Sequence, residues 1–156
     1  MGNACLGGSQ VDFKTHTVLV VDHSGSMRKA DVPGYNTRTA AVYDCIARDF
    51  VQPQLDGLKA ADAEAPEAVV TIIEMSTHAK ILCREHPIDS ALVDLCKQWK
   101  SGRARSHGNY LPALEEVGHV LEEHEYDDTR IVLAFLRYLS YHMHQVSSPA
   151  RHTAMC

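Results

Sequence analysis

Three runs of consecutive apolar residues stand out along the chain, each separated from the next by segments of helical periodicity. The runs are Thr17–Val21, which ends at Asp22, then Ala68–Met75 and Arg130–Leu136. Because they are apolar at successive rather than alternate positions, they predict strands buried on both faces, as in a parallel sheet. We expect Thr17–Asp22 to be the central strand, flanked by the other two. A hairpin should join Ala79–Cys83 to the second strand as a short partner.

The segments between these runs predict helices. Apolar residues between Thr37 and Lys59 recur at the spacing of one helix face, and Pro53 should kink or end that helix. Ser90 is placed to cap the next helix. A further helix is expected over Tyr110–His124, with its inward positions at Leu111, Leu114, Val117 and Leu121. Strands that alternate with helices predict an α/β fold, a doubly wound and mostly parallel sheet with helices on both faces.

Composition narrows the functional classes. The 156 residues are 45% hydrophobic and 22% charged, which fits one globular domain. Lys and Arg number 15 against 20 Asp and Glu, with no long basic run, so we expect no nucleic-acid partner. The five cysteines are odd in number and widely spaced, and no secretory signal precedes them, which favours reduced thiols and a cytoplasmic protein.

The chain divides into three parts. Residues 1–16 are small, polar and glycine-rich and are interpreted as an extension. Residues 17–136 carry the alternating strands and helices. Residues 137–156 contain no Asp or Glu and show no clear apolar period, so we interpret them as an atypical C-terminal tail.

Candidate chemistry follows the first strand. Asp22, Ser24 and Ser26 supply one carboxylate and two hydroxyls at alternate positions, where a parallel sheet places its ligand sites. These are hard oxygen donors of the kind that Mg²⁺ accepts, together with several waters. The alternative is a turn in which the same side chains satisfy backbone groups between a strand and a helix.

The order Asp22-x-Ser24-x-Ser26-Met27 after a buried strand resembles the first loop of the metal-ion-dependent adhesion site in von Willebrand factor A domains. The resemblance covers about residues 15–136 and includes Asn109–Leu114, which resembles the start of the family's third helix. It implies the family's α/β fold and a protein-binding role, in which a divalent cation bridges the site to an acidic residue of a partner. The resemblance implies that the residue at the position of His23 is not a metal ligand, so we expect His23 to face solvent.

The sequence also departs from that family. Gly108 stands where a threonine ligand is usual, and neither Ser106 nor Asn109 is in register to replace it. After Leu136 come Arg137 and Tyr138 in place of an aspartate, and Arg137 would repel a cation. We therefore expect Mg²⁺ or Mn²⁺ to bind weakly or not at all. The sequence resembles the family only as far as its fourth strand, so a truncated, non-binding fragment is the alternative interpretation.

The N-terminus resembles that of dually acylated signalling proteins. Gly2 is placed for myristoylation and Cys5 for palmitoylation, although Leu6 departs from the usual pattern. One myristoyl chain holds a protein only marginally, so the second chain would be needed for stable attachment. This predicts a peripheral protein at the inner face of the plasma membrane or at an endomembrane.

An enzymatic function has little support in the sequence. Ser24 and Ser26 do not lie in a Gly-x-Ser-x-Gly elbow, and no phosphate-binding loop of the Gly-x-x-x-x-Gly-Lys-Ser/Thr type occurs. The sequence thus predicts a protein-binding module rather than an enzyme.

Overall fold

A computed structural model describes residues 13–61, 67–104, 107–122 and 129–137. A 3₁₀ turn at Gly25–Arg28 and a π-helical segment at Ile46–Val51 accompany the regular elements. In chain order those elements are β1 (Thr15–Asp22), α1 (Arg38–Cys45), α2 (Gln52–Ala60), β2 (Ala68–Met75), β3 (Ala79–Pro87), α3 (Ser90–Trp99), α4 (Tyr110–Glu122) and β4 (Arg130–Leu136).

The sheet has the strand order β3-β2-β1-β4. β1 runs parallel to both β2 and β4, whereas β3 is antiparallel to β2. The prediction of a central first strand between the other two apolar runs is confirmed. β3 is longer than the predicted Ala79–Cys83 because this half-exposed edge strand continues through the polar residues Arg84–His86, which an apolar pattern does not detect.

Two apolar cores lie on the two faces of this sheet. One face of β1 and β2 packs against α1, the π-helical segment and α3, with Tyr43, Ile46 and Leu92 fully buried. The other face packs against α4, whose Ala113, Val117 and Val120 contact the strands. Burial of each large aliphatic side chain stabilises the fold by about 1.5–3 kcal/mol. Helices on both faces were predicted, and the structure has them.

The first long helix does not end at Pro53, although the sequence left that open. Its turns widen into the π-helical segment, where the Gln52 N–H donates to the Ala47 carbonyl. Pro53 then lies in the first turn of α2, directly after the widened π-helical turn. The helical path therefore runs from Arg38 to Ala60.

Two details of the later helices correct the sequence prediction. The cap of α3 is Asp89, whose carboxylate accepts from the Leu92 N–H at 3.0 Å, so Ser90 is the first helical residue and not the cap. In α4 the predicted inward residues Leu111 and Leu114 are exposed. The small Ala113 lets the helix approach the sheet closely, so a neighbouring stripe of the helix is buried. Hydrophobic periodicity alone does not determine which stripe faces the sheet.

None of the helices described here is long and apolar enough to cross a membrane.

Candidate functional site

The loop after β1 is built around the Asp22 carboxylate. β1 carries Asp22 to the carboxyl end of the sheet, where its side chain is only 3% exposed. Its Oδ1 accepts a hydrogen bond from the Ser24 N–H at 2.8 Å. The hydroxyls of Ser24 and Ser26 lie 3.1 Å apart and hydrogen-bond to each other. The three predicted site residues are therefore together, as their spacing suggested.

Arg137 occupies the other side of the same carboxylate. β4 runs parallel beside β1 with Leu136 opposite Val21, so the chain leaves β4 at the level of Asp22. The Arg137 Nε lies 3.2 Å from Asp22 Oδ2, and the Arg137 side chain is 46% exposed. Both oxygens of Asp22 are thus engaged, one by a backbone N–H and one by a guanidinium.

The segment that contains Gly108 also lies close to Asp22 and Ser24. A Cβ atom at Gly108 would lie 3.2 Å from the Cβ of Ser24 and 3.7 Å from Asp22 Oδ1. The segment therefore reaches the position expected from the sequence, but it brings no side-chain oxygen. Asn109 does not compensate, because its Oδ1 accepts from the Leu111 N–H at 3.1 Å, at the start of α4.

These residues fit a divalent cation poorly. Mg²⁺ prefers octahedral oxygen ligands and exchanges its waters reluctantly. The site offers one carboxylate, already paired, and two hydroxyls that bond to each other. Within the described ranges no group of three or more His, Cys, Asp or Glu side chains is arranged to hold a metal ion.

Four other predicted residues lie outside the described ranges. Ser106 and Tyr138 belong to the metal-site comparison, and Gly2 and Cys5 are the predicted acylation sites.

His23 is buried, which corrects the expectation that it faces solvent. It is 5% exposed, and its Nδ1 lies against Glu74 Oε1 on the neighbouring strand β2. Tyr43 donates to the same oxygen at 3.0 Å. The ring fits beside Gly102, where a Cβ atom would stand 3.3 Å from His23 Cε1. Glu74, the one acidic residue in the Ala68–Met75 run, was the available sequence signal for this cluster.

The cluster fixes the charge of Glu74. Burial alone would raise the pKa of Glu74, but the hydrogen bond and charge of His23, with the hydrogen bond from Tyr43, outweigh it. The pKa of Glu74 therefore lies below its ordinary value of 4.5. Burial and the charge of Glu74 raise the pKa of Tyr43 well above its usual range. At neutral pH Tyr43 is thus a neutral donor to an ionised carboxylate.

An open cavity of about 530 Å³ adjoins this cluster. His23 and Glu74 line it on one side, at the carboxyl ends of β1 and β2. The turn between β2 and β3 lines the rest, through Ser76, Thr77, His78, Ala79 and Lys80. This cavity therefore lies next to the Asp22 loop.

Comparisons with known proteins identify the fold. No family model and no curated protein matches the sequence. A pilus adhesin, SpaC from Lactobacillus rhamnosus GG in an open conformation, matches with a TM-score of 0.57 and 18% identity, over 80% of this chain and 15% of the adhesin. An uncharacterized membrane-spanning protein from Vibrio fischeri matches with a TM-score of 0.54 and 16% identity, over 70% of this chain and 50% of that one.

The SpRpn10 VWA domain also matches, with a TM-score of 0.49 and 15% identity, over 77% of this chain and 58% of that domain. The chain thus spans between 15% and 58% of these solved structures. At such identities the likeness establishes the fold alone, and the two higher TM-scores are the ones that support it. The described residues have a mixed α/β fold, as predicted, with a mostly parallel sheet of four strands.

Proposed function

We propose that the chain is a protein-binding module of the von Willebrand factor A type. In this proposal Arg137 binds an acidic residue of the partner protein, and no divalent cation is needed. The observation that carries it is the half-exposed side chain of Arg137, whose guanidinium pairs with the buried carboxylate of Asp22. No catalytic step is part of the proposal.

The chemistry of a guanidinium suits this bridging role. It carries five N–H donors in a rigid plane and remains charged at any physiological pH. Asp22 holds it from the protein side, so less side-chain entropy is lost when a second carboxylate binds. A partner's Asp or Glu would then pair with the exposed face, in the manner of bidentate Arg–carboxylate contacts. The site thus replaces the bridging cation of the resembled family with a side chain.

The second part of the proposal is that Mg²⁺ and Mn²⁺ bind weakly or not at all. A cation approaching Asp22 must displace Arg137 and give up hydration for a single carboxylate. The positive charge of Arg137 opposes that approach, and Gly108 contributes no oxygen. Partner binding should therefore persist when divalent cations are chelated.

A peptide array tests the proposal. Each peptide carries a central Asp or Glu, beside a matched copy with Asn or Gln, and is probed with the full chain in EDTA or in Mg²⁺. We expect capture by acidic peptides only, equal in both buffers and lost in Arg137→Ala. Arg130→Ala, which removes an exposed cation at the opposite end of β4, is the control and should bind normally. Capture that requires Mg²⁺, or that Arg137→Ala retains, would contradict the proposal.

Membrane attachment is a further part of the proposed function. Acylation of Gly2 and Cys5 would hold the module at the cytoplasmic face of a membrane, as the N-terminal pattern suggests. The sequence pattern is its only support.

One observation favours the alternative of a non-binding fragment. β4 pairs only with β1 in the described part of the sheet, and its α4-facing side chains are exposed. An exposed apolar edge strand invites aggregation. Absence of acidic-peptide capture, together with non-cooperative unfolding, would support this alternative.

A further inference from the structure

A separate cavity of about 290 Å³ adjoins the 3₁₀ turn that follows the Asp22 loop. Three segments meet there: the 3₁₀ turn, the start of α1 and the residues that follow α3. Two arginines and three hydroxyl residues supply its polar lining, namely Arg28, Arg103, Thr37, Thr39 and Ser101. No Asp or Glu is among the described residues that line it. We call this space the arginine cavity.

Neither arginine of the cavity is neutralised by a carboxylate of the described residues. Arg28 and Arg103 are both exposed. The Arg28 Nε donates to the Gly25 carbonyl at 3.2 Å, which leaves the terminal nitrogens of its guanidinium available. Asp31, three residues beyond Arg28, instead binds Arg38, whose Nε donates to Asp31 Oδ1 at 2.7 Å. Two unpaired positive charges therefore border one small cavity.

A hydroxyl adds a further donor beside the arginines. Thr37 Oγ1 accepts from the Ala40 N–H at 3.0 Å at the start of α1, so the Thr37 O–H remains available to donate. The hydroxyls of Thr39 and Ser101 already donate to backbone carbonyls. A guanidinium group has only donors and no acceptor. The cavity thus suits an anion that presents several acceptor oxygens.

We propose that the arginine cavity binds the phosphoryl group of a phosphorylated serine or threonine in a partner protein. Such a group carries about −1.5 to −2 charge at pH 7 and presents three strong acceptor oxygens. Arg28 and Arg103 together balance this charge, and each guanidinium can donate two parallel N–H bonds to phosphate oxygens. The Thr37 O–H donates to a remaining oxygen.

Other sources of phosphate fit this cavity less well. Pockets for a nucleotide are lined mainly by apolar and aromatic side chains, and no aromatic residue is among the described residues here. Nucleic acids and anionic membranes attract broad basic surfaces, whereas this chain has a net charge of −5. A single phosphorylated side chain needs only the local pair of cations. The chemistry therefore favours a phosphoprotein.

A peptide array followed by titration is the test. Each peptide has a central phosphoserine or phosphothreonine, beside matched copies with the unphosphorylated residue and with aspartate, and has no other acidic residue. The array is probed with the full chain, and the captured phosphopeptides are titrated by fluorescence polarisation. We expect saturable binding of phosphopeptides, no binding of the unphosphorylated copies, and at least about tenfold weaker binding of the aspartate copies, which offer one charge and two oxygens.

Variants of the full chain assign the binding to the cavity. Arg28→Ala and Arg103→Ala should each weaken phosphopeptide binding at least about tenfold, because each removes one of the two cations. Arg28→Lys should retain part of the affinity, since lysine keeps the charge without the planar fork. Both positions are exposed, so the variants should fold, which circular dichroism checks. Arg130→Ala removes an exposed cation at the other end of the sheet and should bind normally.

The proposal does not rest on the role assigned to Arg137, so Arg137→Ala should bind phosphopeptides normally. Absence of phosphopeptide capture, or equal capture of the unphosphorylated copies, would overturn the proposal. Equal weakening by Arg130→Ala would indicate a general effect of charge and would also overturn it. Phosphatidylcholine vesicles containing a phosphatidylinositol phosphate are the last arm. Their binding through Arg28 and Arg103, without phosphopeptide capture, would replace the phosphoprotein with a lipid headgroup.

Discussion

Asp22 is a buried carboxylate whose two oxygens are held by different parts of the chain. The Ser24 N–H lies next in sequence, whereas Arg137 arrives from the far end of the described fold. The local contact follows from the Asp-x-Ser spacing and was predictable. The contact with Arg137 depends on β4 lying beside β1 in one register, which the sequence suggests through the order of apolar runs but does not specify in distance.

Arg137→Ala should destabilise the fold by about 1–3 kcal/mol, because it leaves one oxygen of a buried carboxylate without its partner. Arg130→Ala is the matched control and should change the free energy of unfolding by less than about 0.5 kcal/mol, as an exposed substitution does. Urea denaturation of both variants measures the difference. Equal effects of the two substitutions would mean that the pair with Asp22 contributes nothing.

Glu74→Gln should also destabilise the fold at neutral pH, by about 1–3 kcal/mol. The pKa of Glu74 is lowered in the folded state, so its charge stabilises the fold above the unfolded pKa and loses that effect as pH falls through the folded pKa. The difference in the free energy of unfolding between Glu74→Gln and the unaltered protein should therefore shrink on acidification below about pH 4.5. Urea denaturation across this pH range provides the measurement.

Glu67→Gln is the control for that experiment. Glu67 pairs with Lys14 on the surface, where both side chains are mostly exposed, and such pairs contribute about 0–1 kcal/mol. A loss of stability in Glu74→Gln that stays constant, or grows, as the pH falls would contradict the assigned direction of the shift in the Glu74 pKa.

At the scale of elements, strands were more predictable than helix faces. β2 and β4 have the predicted bounds, because a run apolar at every position has few other structural solutions. The inward face of α4 was predicted in part: Val117 is buried as expected, whereas Leu111 and Leu114 are exposed and Ala113 is buried instead. Which stripe faces the sheet is decided by how closely the helix approaches, and that is a tertiary property.

The start of α3 gives a direct test at this scale. Asp89→Ala removes the carboxylate that accepts from the Leu92 N–H and should cost about 0.5–2 kcal/mol of stability. Ser90→Ala, the neighbour that the sequence favoured as the cap, should be nearly neutral or slightly stabilising, because alanine is a better helix former. Urea denaturation of both variants distinguishes the two residues. A larger loss for Ser90→Ala would restore the original assignment.

For the whole molecule, the sequence predicted the fold class and the position of the site better than it predicted the contacts within the site. The loop residues assemble as expected, but burial of His23 by Glu74 and Gly102 was not foreseen, because pairs between neighbouring strands require a known register. The ion pair between Asp22 and Arg137 likewise joins residues that lie 115 positions apart in the sequence. Local sequence patterns identify the side chains that a loop carries. The register of the sheet determines which distant residues contact them.

Membrane attachment is tested on the whole chain in cells. Gly2→Ala prevents myristoylation and should move the protein from the membrane fraction to the soluble fraction. Cys5→Ser should give an intermediate distribution, because a single myristoyl chain binds membranes only marginally. An unchanged membrane fraction in Gly2→Ala would show that the N-terminus is not the anchor.

The central claim is that Arg137, and not a divalent cation, is the partner of Asp22. Calorimetric titration of the full chain with Mg²⁺ and with Mn²⁺, beside the Asp22→Ala variant, tests it most directly. The account predicts no saturable binding in either protein, because the lone carboxylate is paired and Gly108 supplies no ligand. A saturable site of micromolar affinity that disappears in Asp22→Ala would contradict it.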